Sequence, residues 1–148
     1  MAGITKLING NIIDKSNEKV DLNDEKYQGK LIGLYFTAHW CPPCRGFTPI
    51  LTEFYKNYHE EKNFEIIFIS SDQDEKSFNE YYNEMPWLAL DYNDRKTKEE
   101  LGNKFHVTGI PKLIFLDVDS GDIVCEDGRQ QVQSIDPEGK DFPWKSEK

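Results

Sequence analysis

The sequence predicts an α/β domain in which a central mixed β-sheet carries helices on both of its faces. Residues 31–36 and 64–69 are continuous apolar runs, which is typical of strands buried on both faces of a sheet. Between them, residues 47–58 repeat their apolar side chains at helical spacing. A strand, a helix and a second strand in this order form a parallel βαβ unit, and a hairpin predicted further along the chain adds antiparallel strands.

The first 28 residues are predicted to form an N-terminal hairpin extension. Apolar residues stand on both sides of Asn9-Gly10-Asn11, a sequence typical of a tight hairpin turn. These apolar residues are Ile4, Leu7, Ile8, Ile12 and Ile13. Residues 22–29 follow as a turn or a short helix that ends at a glycine.

Two helices and a hairpin are predicted after the second strand. The helices cover residues 75–82, where Ser71 or Asp72 serves as the cap, and residues 96–105. The hairpin pairs residues 112–117 with residues 122–125.

The last predicted segment is a polar tail over residues 136–148. Its apolar residues, Phe142-Pro143-Trp144, are expected to dock on the body of the domain. Cys125 lies in the second strand of the hairpin, and we expect it to be a small buried hydrophobe.

Bulk properties indicate one soluble domain over all 148 residues. The net charge of −9 disfavours nucleic acids and anionic membranes as partners. The chain begins without the apolar stretch of a signal peptide, and it has no apolar run of the roughly 18 residues that a membrane span needs. Three cysteines are too few for a secreted disulfide scaffold, so we expect a cytoplasmic protein.

Cys41 and Cys44 stand at the start of the first predicted helix. Positions i and i+3 on a helical turn lie on one face, with Cβ atoms roughly 5–6 Å apart. Disulfides span Cα separations of about 4.4–6.8 Å, so the pair can close and open with little backbone movement. This property suits a reversible redox dithiol.

The flanking residues favour a thiolate at Cys41. The N-terminus of a helix carries partial positive charge and free N–H groups, and Arg45 adds a cation one turn further on. Pro42 fits the first helical position, but Pro43 removes a second backbone donor. We therefore expect Cys44, through its N–H and S–H groups, to hold the thiolate that attacks disulfides.

Two other interpretations of the cysteine pair are open. One CxxC pair is half of a common zinc site, but Cys125 is the one remaining cysteine and the three histidines show no ligand spacing. A structural disulfide over so short a loop adds little stability. The pattern favours redox chemistry first, zinc second and a structural bridge third.

Several segments resemble the thioredoxin superfamily, and in particular its tryparedoxin and nucleoredoxin branch. The general features are the CxxC after a buried strand, a proline inside the following helix (Pro49), and Gly109-Ile110-Pro111 before the next strand. The specific ones are WCPPCRGFTP at residues 40–49, ISSD at 69–72, MPWLA at 85–89 and DFPW at 141–144. The resemblance spans residues 4–144 and implies a thioredoxin fold.

The resemblance assigns roles to individual residues. Cys41 would be the attacking thiolate and Cys44 the resolving thiol. The Ile110–Pro111 bond would be a cis peptide that faces them and leaves the Ile110 backbone free to pair with an extended substrate. The remaining substrate contacts would be made by Trp40, Pro42, Pro43 and Arg129. The alternative for Arg129 is a solvated cation at the end of a strand.

Tyr35 stands where ordinary thioredoxins carry a buried acid that assists proton transfer. A phenol with an ordinary pKa of about 10 is a poor base at neutral pH. We therefore expect the proton of Cys44 to leave through water or through another carboxylate, and Asp72, at the end of the neighbouring strand, is our candidate.

The resemblance implies a reductant of protein disulfides that needs no bound cofactor. Electrons would come from trypanothione, glutathione or another small thiol, or from NADPH through a flavin-dependent reductase. They would pass to disulfide-containing proteins such as a peroxiredoxin-type peroxidase. Two alternatives stay open: a nucleoredoxin-like module that binds partners according to its redox state, and a catalyst of disulfide formation.

Overall fold

The computed structural model describes residues 2–8 and 11–145, and within them the strands form one seven-stranded mixed sheet. The strands are β1 (Ile12–Ile13), β2 (Lys19–Val20), β3 (Leu31–Thr37), β4 (Phe64–Ser70), β5 (Leu88–Leu90), β6 (Lys112–Asp117) and β7 (Ile123–Cys125). The helices are α1 (Pro42–Tyr58), α2 (Glu75–Tyr82), α3 (Arg95–Lys104) and α4 (Gly128–Gln130), the last continued by a π-helical turn over Gln131–Ile135.

Strand β3 lies near the centre of the sheet, whose order is β2-β1-β5-β4-β3-β6-β7. It pairs in parallel with β4 along its whole length and antiparallel with β6 on its other edge. The predicted βαβ unit of β3, α1 and β4 and the predicted hairpin of β6 and β7 are therefore confirmed. The sheet is mixed, as expected.

Side chains alternate along β3 and divide the interior into two cores. Ile32, Leu34 and Phe36 point into one core, where they meet Leu101 of α3 and the N-terminal segment. Tyr35 points into the other, which is formed with α1 and α2. All four of these β3 side chains are at most 2% exposed, which explains why the strand reads as a continuous apolar run.

Helix α1 begins at the cysteine pair because Cys41 is its N-cap and Pro42 occupies its first position. Its buried stripe includes Phe47, Leu51 and Phe54, which pack on the sheet. None of the described helices has the length and apolar character needed to cross a membrane.

The N-terminal hairpin differs from the prediction. Gly3–Lys6 forms a 3-10 turn rather than a strand, and the hairpin pairs β1 with β2 instead. Its connecting turn is held by Asp14, whose carboxylate accepts hydrogen bonds from the N–H groups of Ser16 and Glu18. The predicted turn at Asn9-Gly10 lies outside the described residues.

Three local predictions were wrong or incomplete. The cap of α2 is Asp74, which accepts the N–H of Ser77 at 2.8 Å, and neither Ser71 nor Asp72. Strand β5 was not predicted, because three residues are too few to show a period. The segment that contains Arg129, predicted to be a strand end, is helical.

The C-terminal tail docks on the body, as predicted. Phe142 lies against Phe64 and Phe115, with ring centroids 5.1 and 5.3 Å apart, and Trp144 lies 5.8 Å from Phe54. Both tail residues are half-buried, and all of these rings belong to the core that contains α1. The tail therefore closes one end of that core.

A turn at residues 136–144 directs the two tail aromatics inward. The carboxylate of Asp136 accepts hydrogen bonds from the N–H groups of Lys140 and Asp141 and from Trp144 Nε1, at 3.1, 2.8 and 2.8 Å. Gly139 has a φ of 64° and lies so close to Phe54 that a Cβ atom would stand 3.0 Å from its ring.

Replacing Phe142 with alanine is expected to lower the free energy of unfolding by about 1.5–3 kcal/mol, because a large apolar side chain loses its contacts. Urea denaturation of the reduced protein measures this change. Ile135→Ala is the control, because Ile135 is 65% exposed and its truncation should change stability by no more than about 0.5 kcal/mol. Equal effects of the two substitutions would contradict the docked role of the tail.

Candidate active site

Cys41 and Cys44 form a disulfide at the N-terminus of α1, with Cα atoms 5.2 Å apart. Cys41 is 5% exposed and Cys44 is fully buried. The prediction that the two residues can close a bond across one helical turn is confirmed. Cys41 is the more accessible sulfur, and Cys44 lies behind it.

The surroundings of Cys41 Sγ contain one close backbone donor. The N–H of Cys44 points at this sulfur with an N–S distance of 3.3 Å, as the sequence led us to expect. Pro42 and Pro43 have no N–H to offer. Arg45 is exposed, and its guanidinium forms no hydrogen bond or ion pair with the residues that the structure describes, so its effect on the thiolate stays a prediction.

The segment that leads into Cys41 is fastened to the end of β4 by three hydrogen bonds. The N–H of Ser71 donates to the carbonyl of Thr37 at 2.9 Å. The N–H of His39 donates to Asp72 Oδ1 at 2.7 Å, and Trp40 Nε1 donates to the carbonyl of Ser71 at 3.0 Å. Trp40 is therefore held in one orientation although 57% of its surface is exposed.

Asp72 is buried, with 5% of its surface exposed, and both of its carboxylate oxygens accept hydrogen bonds. Oδ2 accepts the hydroxyl of Ser70 at 2.7 Å. Two side chains stabilise the backbone of this segment. The hydroxyl of Tyr92 donates to the carbonyl of Asp72 at 3.0 Å, and Arg95 Nη1 donates to the carbonyl of Ser70 at 2.8 Å. Sequence reasoning singled out Asp72 but missed the supporting Tyr92 and Arg95, which carry no motif.

The Ile110–Pro111 peptide is cis, as the resemblance implied. Ile110 packs against a small buried cluster formed by Ala38, Cys41 and Cys44. The structure thus brings Ile110 into contact with the cluster of Cys41, although the two residues are almost 70 positions apart in the chain.

A groove of about 380 Å³ runs from Trp40 and Ile110 along α3. Gly102 lines it in the last turn of α3, where glycine is a weaker helix former than alanine. A Cβ atom at Gly102 would meet nothing within 4 Å, so packing does not require the glycine. Lys98 and Glu99 place one charge of each sign along the same wall.

Tyr35 is fully buried, and its hydroxyl lies 2.7 Å from Thr48 Oγ1 on α1. Burial raises the pKa of Tyr35 far above its ordinary value, so the phenol is even less fit to act as a base than the sequence suggested. Thr48 is a residue that sequence reasoning missed, since a threonine in an amphipathic helix gives no signal of its own.

Arg129 lies on α4 rather than at a strand end, is half-buried, and donates from Nε to Gln133 Oε1 at 3.0 Å. Its contact with a partner stays a prediction. Within residues 2–8 and 11–145, no three His, Cys, Asp or Glu side chains are grouped so that they could hold a metal ion.

Comparisons with known proteins agree with this geometry. A sequence profile described as thioredoxin-like matches residues 29–123. Tryparedoxin of Trypanosoma brucei brucei is 48% identical over 146 residues, which cover 97% of this chain and 99% of that protein. Human nucleoredoxin is 43% identical over 129 residues, which cover 86% of this chain but only 29% of nucleoredoxin.

Solved structures of tryparedoxins superpose closely on the chain. Tryparedoxin from Trypanosoma brucei matches with a TM-score of 0.92 at 46% identity, over 99% of this chain and 100% of that one. A tryparedoxin II complexed with glutathionylspermidine matches with a TM-score of 0.92 at 42% identity, over 97% and 99% of the two chains.

Cys125 is expected to be unreactive in the folded protein. Its thiol is buried and donates to Asp127 Oδ1 at 3.0 Å, and burial raises the pKa of Cys125 to about 12. Iodoacetamide at neutral pH should therefore modify Cys41 of the reduced native protein and reach Cys125 only after unfolding, as mass spectrometry of the peptides would show. A Cys125→Ala variant should be labelled like the wild type, and modification of native Cys125 as fast as Cys41 would refute the expectation.

Proposed function

This chain belongs to the thioredoxin-like family and is a dithiol thiol–disulfide oxidoreductase, and we propose that it acts as a tryparedoxin-like reductant of protein disulfides. The observation that carries the proposal is the Cys41–Cys44 pair at the start of α1, in a chain that matches a tryparedoxin over 99% of that protein's length. The proposed acceptor is a peroxiredoxin-type peroxidase, and the proposed location is the cytoplasm.

The reaction transfers two electrons to the partner protein. The thiolate of Cys41 attacks one sulfur of the partner's disulfide, forms a mixed disulfide with it, and releases the other sulfur as a thiolate. The sulfur of Cys44 loses its proton and attacks Cys41 Sγ, which expels the second partner sulfur and leaves the Cys41–Cys44 disulfide. An external thiol then reduces this disulfide and restores the dithiol.

We propose that Asp72 receives the proton that Cys44 loses. The carboxylate is buried and is hydrogen-bonded to the N–H of His39, two residues before Cys41. Tyr35, at the position that carries an acid in ordinary thioredoxins, has a pKa raised by burial and is no base at neutral pH. Asp72 is therefore the carboxylate that is tied directly to the segment leading into the cysteine pair.

The proposed contact surface for the partner surrounds the Cys41 sulfur. Trp40 offers an exposed indole face whose orientation is fixed, and Pro42 and Pro43 are exposed beside it. The backbone of Ile110, next to the cis bond to Pro111, would pair with an extended segment of the partner. The groove along α3 would accept the residues that flank the partner's cysteine, and Arg129 would contact a more distant part of the partner.

The proposed electron donor is a low-molecular-weight thiol such as trypanothione or glutathione. A related tryparedoxin II forms a complex with glutathionylspermidine, which supports a donor of this class. NADPH acting through a flavin-dependent reductase is the other donor that we consider.

A redox-regulated binding module is the second candidate, because human nucleoredoxin is 43% identical to this chain. In such a module the surface around Trp40 and Pro111 would hold a partner without turnover. The higher identity to tryparedoxin, 48% against 43%, favours the reductase.

Insulin-disulfide reduction tests the proposed function. The protein is supplied in parallel with trypanothione, glutathione, or thioredoxin reductase plus NADPH, and Cys41→Ser should abolish turnover because it removes the attacking sulfur. Turnover with one donor would identify the class of reductant. Partner binding that survives Cys41→Ser, without turnover from any donor, would favour the binding module, and a strongly oxidising reduction potential would favour a catalyst of disulfide formation.

Asp72→Asn is expected to lower turnover at neutral pH by about a hundredfold, because the proton acceptor is lost while Asn still accepts the N–H of His39. The pH dependence of the resolving step should flatten in the same variant. Asp74→Asn is the matched control, since it removes a neighbouring carboxylate that caps α2 and Asn is an equally good cap. Unchanged turnover of Asp72→Asn would remove Asp72 from the mechanism.

A further inference from the structure

Four buried hydroxyl groups form a connected network directly behind the resolving cysteine. Tyr35 and Thr37 belong to β3, Thr48 to α1 and Tyr81 to α2, and each is at most 4% exposed. Thr48 Oγ1 lies 2.7 Å from the hydroxyl of Tyr35 and 2.6 Å from that of Tyr81, which in turn lies 2.9 Å from Thr37 Oγ1. Thr48 Oγ1 also donates to the carbonyl of Cys44 at 3.0 Å.

The direction of every hydrogen bond in this network follows from counting protons. A carbonyl oxygen can only accept, so the single proton of Thr48 goes to Cys44. Thr48 must then accept from both Tyr35 and Tyr81. Because Tyr81 donates its hydroxyl proton to Thr48, it can only accept the hydrogen bond from Thr37. All four hydroxyl protons are used, and the network ends at the carbonyl of Cys44.

The network cannot take up a proton from the cysteines. Its four members are neutral hydroxyls, and burial raises the pKa of both tyrosines above the ordinary value. His39 touches it only by ring packing on Tyr81, with centroids 5.4 Å apart. A role in holding the backbone is therefore the one that its chemistry supports.

The first turn of α1 lacks one intrahelical hydrogen bond, which gives a bond from the network to the neighbouring carbonyl a structural purpose. Pro49 has no N–H to donate to the carbonyl of Arg45, whereas Pro42 and Pro43 stand at the first two helical positions, where an N–H has no intrahelical partner in any helix. The hydroxyl of Thr48 adds a bond to the carbonyl of Cys44 in this weakened turn. The same residue, Cys44, directs its N–H at Cys41 Sγ.

We propose that Thr48 and Tyr81 are positioning residues for thiol–disulfide exchange. They hold the Cys44 peptide so that its N–H stays on the Cys41 sulfur, which keeps Cys41 a thiolate and keeps the Cys44 sulfur in line for the resolving attack. This inference rests on the proposed role of Cys41 as the nucleophile. Tyr35, which only donates to Thr48, is the least important member for this function.

The unequal consequences of deleting single hydroxyls make the proposal testable. Thr48→Val leaves the hydroxyls of Tyr35 and Tyr81 without an acceptor, and it frees the carbonyl of Cys44 from its side-chain donor. Tyr81→Phe leaves only Thr37 without an acceptor. Tyr35→Phe leaves no donor unsatisfied. The effects on Cys41 should therefore decrease in the order Thr48→Val, Tyr81→Phe, Tyr35→Phe.

The thiolate titration of Cys41 by absorbance at 240 nm, and the lifetime of its mixed disulfide in single-turnover reactions, are the readouts. We expect Thr48→Val to move the midpoint of the Cys41 titration upward by about one pH unit, a tenfold change in the acid dissociation constant, and to prolong the mixed disulfide. Asp72, His39 and Arg45, the titratable or charged groups that flank the pair, are unchanged in these variants. Thr48→Ser restores the hydroxyl and should restore both readouts.

Thr52→Val is the matched control, because Thr52 lies one turn further along α1 and its hydroxyl has no partner among the described residues. A wild-type titration in folded Thr48→Val, or an equal shift in Thr52→Val, would overturn the proposal. If Thr48→Val does not fold, Tyr81→Phe takes its place. This variant keeps the Thr48 hydroxyl but removes one of the two donors that orient it, and a wild-type Cys41 titration in folded Tyr81→Phe would then overturn the proposal. Retained insulin reduction by Cys41→Ser would instead refute the proposed function, whatever the titrations show.

Discussion

The pairing of β3 on both of its edges is the constraint on which the active site depends. Because β4 and β6 fix its register and both faces are buried, the end of β3 has one possible position. The segment that follows is fastened to the neighbouring end of β4 through Ser71 and Asp72. The sheet therefore determines the position of the Cys41 sulfur, and α1 begins at the point that the sheet has fixed.

The groups that hold the Cys41 sulfur and the Cys44 peptide are neutral. One backbone N–H points at the Cys41 sulfur, four hydroxyls hold the residue that provides it, and the nearby cation Arg45 is exposed. Buried hydroxyls are costly unless every proton finds an acceptor, and in this network each one does. Such a network is rigid because no member can rotate without breaking a bond.

Most of the fold, but only part of the site, could be predicted from the sequence. Strand β3 and helices α1 to α3 were predictable because apolar runs and helical periods are local signals. Strand β5 has three residues and α4 has three, so neither shows a period. The cysteine pair is a motif, but Thr48 and Tyr81 are 33 positions apart and meet only because α1 and α2 pack on the same face of the sheet.

The cysteine pair and the groups that hold it describe a general thiol–disulfide exchange, so selectivity between partners has to arise outside them. The groove along α3 is the described surface best placed for this, since it begins at Trp40 and Ile110 beside the reactive sulfur. Gly102 lines this groove in the last turn of α3, and a Cβ atom there would meet nothing within 4 Å. A larger side chain at Gly102 would therefore narrow the proposed partner groove without disturbing the contacts of α3, which makes this position suitable for testing selectivity separately from the chemistry of the cysteine pair.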